Sequence, residues 1–178
     1  MIFTDDTEET LRAAVWLVNS AEDPDTLSSL TDEAAFLDQF RYTGRIDRDE
    51  DELAGLRGIR PQLRRMLLAD RDDMAAEVNA ALAGASLAPR LARHGTVDWH
   101  LHAVADDHPL PERVIVETAM ALIDVIRAEE GSRISVCADD TCEALALDLS
   151  RNRSKRYCST ACANRNAVAA YRARRAEA

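Results

Sequence analysis

Residues 137–165 read CADDTCEALALDLSRNRSKRYCSTACANR and contain all four cysteines of the 178-residue chain, Cys137, Cys142, Cys158 and Cys162. Their spacing is C-x4-C, then fifteen residues, then C-x3-C. Zinc prefers tetrahedral sulfur ligation with Zn–S bonds of about 2.3 Å, and two closely spaced cysteine pairs supply such a ligand set. The spacing therefore predicts one zinc ion held by these four thiolates. Four protein ligands leave no coordination position for water, so the predicted zinc is structural and not catalytic.

Three other uses of the cysteines fit the pattern less well. Two disulfides require an oxidising compartment, and a redox thiol pair is usually C-x-x-C, a spacing that this chain lacks. The short two-plus-two spacing is not typical of an iron–sulfur cluster. These uses and unpaired buried thiols stay open as alternatives to zinc.

The residues around the cysteines predict a small module of knuckle, β-hairpin, knuckle and helix. RISVC at 133–137 and LALDL at 145–149 have the character of short strands. Ser159 is a suitable N-cap for a helix over about 160–174, which places Cys162 in the first helical turn. The N-terminal end of a helix stabilises a thiolate. A module of roughly forty residues has little core of its own, so we expect zinc to contribute to its stability.

Charge is divided unevenly along the chain. Residues 1–150 contain 14 Arg against 31 Asp and Glu, a balance of −17, whereas residues 151–178 contain eight Lys and Arg against Glu177 alone, a balance of +7. This asymmetry is expected when one end of a protein binds a polyanion. The alternative is a solvated terminal helix with a biased use of arginine.

The basic end contains the candidate nucleic-acid contacts. Helical periodicity places Arg165, Arg172 and Arg175 on a shared face, while Arg174 points elsewhere. Alternative roles are a salt bridge from Arg165 to Asp148 or to the acidic residues 1–150, and a hydrogen bond from Asn164 within the zinc knuckle. The candidates for nucleic-acid binding are Arg151, Arg153, Lys155, Arg156, Asn164, Arg165, Arg172 and Arg175.

The preceding residues predict a helical domain, since alanine and leucine are abundant and aromatic residues make up only 4%. Hydrophobic spacing, caps and breakers define five helices. They span 7–19, then from an N-cap at Thr31 to near Gly44, then 49–69 with a bend at Pro61, then from a cap at Asp72 to Gly84, and 112–128 with a stop at Gly131.

A strand is predicted between residues 95 and 105, where TVDWHLHAV alternates apolar and polar side chains. Val97, Trp99, Leu101 and Ala103 form its expected buried face. His100 and His102 then share the opposite face, which is either solvent-facing or a second metal or ligand site. His94 and His108 are the other histidines.

The predicted fold class is mainly α with a short β element. A helical N-terminal domain at 1–131, here called the body, precedes a C-terminal zinc-binding module at 132–178, here called the finger. The N-terminus does not resemble a secretory signal and no apolar run is long enough for a membrane helix, so we expect a cytoplasmic protein. No catalytic motif is present, so we do not expect an enzyme.

The finger resembles the CGNR zinc finger, whose name corresponds here to Cys162, Ala163, Asn164 and Arg165. D-x-S-R at 148–151 and K-R-Y-C at 155–158 are also similar to that family. LVNS at 17–20 and VNAALA at 78–83 resemble the ABATE domain that usually precedes this finger. Ala163 departs from the family glycine, and alanine is at least as good as glycine if the position lies in a helical turn.

The resemblance implies a transcription regulator with DNA binding predicted for the finger. DNA is accordingly the expected partner, a membrane is not, and the sequence leaves a small-molecule effector and a homodimer open. A different reading makes the finger a protein-interaction module that docks an acidic partner, with a small-molecule-binding domain before it.

Overall fold

The computed structural model describes residues 3–94 and 97–176, without the side chains of His94, Val97 and Asp98. The predicted fold class, mainly α with a short β element and a C-terminal four-cysteine module, is confirmed. The strands form two antiparallel hairpins, β1–β2 and β3–β4. The elements are α1 Asp5–Asn19, α2 Leu30–Phe40, α3 Glu50–Leu68, α4 Arg71–Ala83, β1 Arg90–His94, β2 Val97–His102, α5 Leu110–Arg127, a 3-10 turn Gly131–Arg133, β3 Ile134–Val136, β4 Leu145–Leu147 and α6 Thr160–Ala176.

Two helices begin earlier than predicted because an upstream side chain caps them. Ser29, not Thr31, caps α2 in a capping box: its hydroxyl accepts from the Asp32 amide, and the Asp32 carboxylate accepts from the Ser29 amide at 2.9 Å. Asp70, not Asp72, caps α4, accepting from the backbone amides of Asp72 and Asp73.

Two helices end without the glycine that was expected to stop them. The chain leaves α2 through Arg41 at φ 52°, before Gly44, and turns after α5 through Glu129 at φ 58°, before Gly131. Both non-glycine residues adopt the left-handed conformation that commonly follows a helix. Gly44, at φ 79°, is needed for a close approach, since a Cβ there would lie 2.8 Å from the Asp106 carbonyl oxygen.

The central helices pack through aliphatic side chains. α5 contacts α1, α3 and α4, and Leu11, Leu56 and Leu122 are fully buried. The single helix predicted across Pro61 is confirmed as α3, and its bend stays a prediction. Gly55 lets α3 approach α5, because a Cβ there would lie 2.8 Å from Pro111 Cγ. None of the helices within the described ranges is long and apolar enough to span a membrane.

The hydrophobic core continues from the body into the finger. Ile134, Leu145 and Leu147 of the β3–β4 hairpin are buried in the same cluster as the leucines of α1, α3 and α5. Asn19, the last residue of α1, pairs with the backbone of β4: it accepts from the Leu145 amide at 2.6 Å and donates to the Leu145 carbonyl at 2.9 Å. The hairpin is thus anchored by apolar packing and by a two-way hydrogen bond.

Strand β2 buries the face opposite to the one predicted, although Ala103, just after the strand, is buried as expected. Trp99 is 63% and Leu101 41% exposed, whereas His102 is 8% exposed, so the prediction that Trp99 and Leu101 are buried was wrong. Alternation defines two faces of a strand without saying which one meets the core. Here Ala103 and Val104, just after β2, pack on Val116 of α5. The Val97 side chain lies outside the described residues.

Candidate metal centre and basic surface

The four cysteine sulfurs converge on one point. All four Sγ atoms lie within 4.8 Å of one another, and Cys158 Sγ lies 3.6 Å from the Sγ atoms of both Cys142 and Cys162. Zn–S bonds of about 2.3 Å at tetrahedral angles separate neighbouring sulfurs by about 3.8 Å. The sulfur atoms therefore have the spacing that a tetrahedral zinc ion requires, and the all-thiol ligand set matches its chemistry.

Local turns place each pair of cysteines. Cys137 follows β3 and donates its backbone amide to the Ala144 carbonyl at 2.8 Å, which continues the hairpin ladder. In the turn that follows, Asp139 accepts from the amide and the hydroxyl of Thr141, and its carbonyl accepts from the Cys142 amide. Such an aspartate turn reverses the chain between the first two ligands.

The second knuckle is the start of α6, as predicted. The Ser159 hydroxyl accepts from the Cys162 amide at 3.3 Å, so the N-cap lies where the sequence placed it. The two knuckles also contact each other directly, since the Cys158 amide donates to Cys137 Sγ at 3.3 Å. Backbone hydrogen bonds thus preorganise both halves of the metal site.

The electrostatics of the cluster favour a bound cation. Burial raises the pKa of the Cys142 and Cys158 thiols, while a hydrogen bond with Ser159 lowers the pKa of Cys162. Four adjacent thiolates repel one another unless positive charge lies between them. A divalent metal ion supplies that charge and deprotonates the thiols that bind it.

Arg165 lies beside the metal centre. Its guanidinium donates to Asp139 Oδ2 through Nε at 2.9 Å and to Cys162 Sγ through Nη2 at 3.1 Å. Its ion-pair partner is Asp139 of the first knuckle, and not Asp148 as considered from the sequence. Hydrogen bonds from Thr141, and next the hydrogen bond and charge of Arg165, lower the pKa of Asp139 to about 2. Arg165 therefore joins α6 to the first knuckle and places a positive charge beside the thiolates.

Asp148 organises the loop between β4 and the second knuckle. Its carboxylate accepts from the Ser150 and Lys155 amides, both at 2.8 Å. Buried Arg133 holds the same loop, donating to the carbonyl oxygens of Asp148 and Ser150. The sequence analysis did not assign structural roles to Arg133 or Asp139. The D-x-T and D-x-S patterns that start at Asp139 and Asp148 are signals for such turns.

The candidate nucleic-acid residues are mostly exposed. Arg153 pairs with Glu130 at 2.8 Å, and the Arg175 guanidinium lies 6.0 Å from the centre of the Tyr171 ring. The Asn164 side chain makes no hydrogen bond within residues 3–94 and 97–176. The hydrogen bond within the zinc knuckle, considered as its alternative role, is therefore absent from the described residues. Among these candidates, we call the exposed cationic side chains that form no ion pair within the described residues the basic surface: Arg151, Lys155, Arg156, Arg172 and Arg175.

Two protein families match the chain, in the order expected from the resemblance. The family described as "CGNR zinc finger" matches residues 133–175, and ABATE, described as "Putative stress-induced transcription regulator", matches residues 11–129. The chain belongs to the ABATE family. The match to the zinc-finger family and the convergence of the four cysteine sulfurs together support one structural zinc, held by Cys137, Cys142, Cys158 and Cys162. No curated protein matches this ABATE-family chain.

Proposed function

We propose that this ABATE-family protein is a DNA-binding transcription regulator whose finger places the basic surface on DNA phosphates. The observation that carries the proposal is the exposure of α6. Within the part of α6 that the structure describes, Cys162 is the only buried residue, so nearly the whole helix surface is available to a partner.

Zinc binding brings the two halves of the basic surface together. The loop that carries Arg151, Lys155 and Arg156 enters the second knuckle, and the Arg156 carbonyl accepts from the Ala138 amide of the first knuckle at 2.9 Å. Arg172 and Arg175 lie on α6, which begins at the same knuckle. A 17-residue helix is about 26 Å long and has the diameter that the major groove of DNA admits. Loop and helix could therefore contact phosphates on the two sides of one groove.

The body neutralises little of this charge. Within the described residues, the ion pair between Arg153 and Glu130 is the only one that joins residues 151–176 to residues before 131. The basic surface therefore favours a partner outside the chain. An acidic protein is the second candidate, favoured by the same exposed charge, and the family description supports DNA over it.

The proposed role is binding and not catalysis, because four thiolates close the coordination sphere of the zinc. A cytoplasmic location is part of the same proposal, because it follows from the proposed contact with DNA. The proposal requires neither a small-molecule effector nor a homodimer.

Salt-dependent DNA titration tests the proposal with a matched pair of variants. Fluorescence anisotropy of a labelled duplex is measured at several salt concentrations for the wild type, Arg172→Glu and Arg174→Glu. Both variants make the same charge change on α6, but the two positions differ by about 200° around the helix. We expect Arg172→Glu to weaken binding about tenfold or more and to lower the salt slope by about one ion, with a smaller effect from Arg174→Glu.

Absence of binding at low salt, with the zinc in place, would remove the DNA hypothesis. An acidic protein would be the favoured partner if a soluble acidic peptide competes for binding as well as duplex DNA does. In that case Arg172→Glu and Arg174→Glu should weaken binding equally.

A further inference from the structure

The inner face of the β1–β2 hairpin brings two imidazoles together. His100 and His102 occupy alternate positions of β2 and point to the same side of the strand. Their Nε2 atoms are 2.9 Å apart, and their ring centres are 4.8 Å apart. His102 is buried and His100 is partly buried, so the pair lies at the edge of the protein interior, where solvent can still reach it.

Carboxyl groups lie around the pair. Asp106 Oδ1 is 3.7 Å from His102 Nδ1, the ring nitrogen that faces away from His100. The same Asp106 oxygen pairs with Arg90. A carboxylate on that side favours a proton on Nδ1 of His102, which places the ring's lone pair on Nε2, facing His100. Burial raises the pKa of Glu117 on α5 to about 7, while Arg113 and His100 act to lower it, so this carboxyl group lies within electrostatic reach of His100.

We propose that His100 and His102 bind one divalent transition-metal ion through their Nε2 atoms, at a site separate from the finger zinc. Imidazole nitrogen suits zinc, nickel, copper and cobalt. Two nitrogens about 2.05 Å from a metal are about 2.9 Å apart at the right angle of octahedral or square-planar coordination, and about 3.3 Å apart at the tetrahedral angle. The observed separation matches the right-angle geometry. A direct N–H···N hydrogen bond between the rings is the competing explanation.

The proposed site differs from the finger in ligand chemistry and in position. The finger offers four thiolates, whereas the hairpin offers two imidazoles, with Asp106 behind His102 as a positioning residue. Within the described residues, no third His, Cys, Asp or Glu group is close enough to form a three-ligand cluster with the two histidines. Water must then complete the coordination sphere, so the site should bind metal more weakly than the finger does.

Metal counting on the full chain, without a histidine tag and with zinc in the finger, tests the proposal. The protein is titrated with Ni²⁺ and, separately, with Zn²⁺ by calorimetry, and metal content is measured after gel filtration. We expect a second metal ion per chain in the wild type. His100→Gln and His102→Gln should each weaken the second binding event at least tenfold.

His108→Gln is the matched control. His108 is partly buried and contacts Glu112 at 3.2 Å on α5, outside the proposed site, so this variant should retain the second metal ion. Cobalt substitution reports on the finger, because its sulfur-to-cobalt absorption should be the same in all four proteins if they are folded. A single metal ion per wild-type chain would overturn the proposal, as would equal affinity in His100→Gln, His102→Gln and His108→Gln.

Discussion

The body and the finger are held together by different means. In the body, leucines of α1, α3 and α5 form a fully buried core, whereas the described part of α6 in the finger buries Cys162 alone. The β3–β4 hairpin belongs to the finger in sequence but packs into the core of the body. Apolar burial therefore stabilises the hairpin, and the metal site stabilises the knuckles and α6. The finger therefore has two parts: the β3–β4 hairpin, which packs into the core of the body, and the knuckles and α6, which depend on zinc.

Zinc removal should separate the two halves most strongly. Chelation, or the variant Cys162→Ser, removes a metal whose binding contributes about 10–16 kcal/mol in zinc-finger peptides, so we expect α6 and the loop at 151–156 to lose structure. α1 and α5 should stay folded, because their core contains no metal ligand. Hydrogen exchange, measured for each peptide of the chain, shows which of these segments lose protection. Continued protection of α6 without zinc, or loss of protection in α1 and α5 at the same chelator concentration, would contradict it.

Truncation of a buried side chain in the β3–β4 hairpin should have the next largest effect, and it should destabilise the body as well as the finger. Leu145 is fully buried among the body leucines, so Leu145→Ala should lower the free energy of unfolding by about 2–5 kcal/mol. Val136→Ala on the exposed side of β3 is the control and should cost less than about 1 kcal/mol. Urea denaturation monitored by tryptophan fluorescence distinguishes them. Similar small costs for both variants would mean that the hairpin does not share the core.

The smallest effect concerns a buried acid in the body. Glu33 is 1% exposed, and its carboxyl oxygens have no hydrogen-bond partner within the described residues. Burial, and next the neighbouring Glu52, raise the pKa of Glu33 to about 7. The folded state therefore keeps a proton that the unfolded chain releases near its ordinary pKa of about 4.3. The free energy of unfolding should fall as pH rises from about 4.3 to about 7.

Glu33→Gln removes that titration. The variant should gain on the order of 1–2 kcal/mol relative to the wild type between pH 5 and pH 8, with the gain appearing as pH rises. Asp72→Asn, at an exposed position in the first turn of α4, is the matched control for loss of one charge. Urea denaturation at the two pH values measures both. A difference between Glu33→Gln and wild type that does not change with pH would contradict the assignment.

The sequence predicted the finger well because its determinants are local. Each cysteine pair spans a single turn, and Ser159 caps α6 three residues before Cys162. The ion pair between Arg165 and Asp139 was not predictable in the same way, since the partners are 26 positions apart and only the folded metal site brings them together.

Predictions in the body failed where several residues compete for one role. Ser29 and Thr31 both suit an N-cap, and so do Asp70 and Asp72. In each pair, the cap is the residue whose side chain reaches the free backbone amides at the start of the helix. In β2, alternation separated Trp99 and Leu101 from His100 and His102, but it did not predict which of these two faces is the more buried. The choice depends on contacts of Ala103 and Val104 with a helix later in the chain.

Measurement of duplex DNA binding by zinc-loaded and zinc-depleted protein tests most directly whether zinc assembles a basic surface for nucleic acid. Hydrogen exchange on the same samples must show that α1 and α5 remain folded in both. We expect salt-sensitive binding by the loaded protein and a loss of affinity of at least tenfold on zinc depletion. Equal affinity in the two samples, or no binding by the loaded protein at low salt, would contradict it.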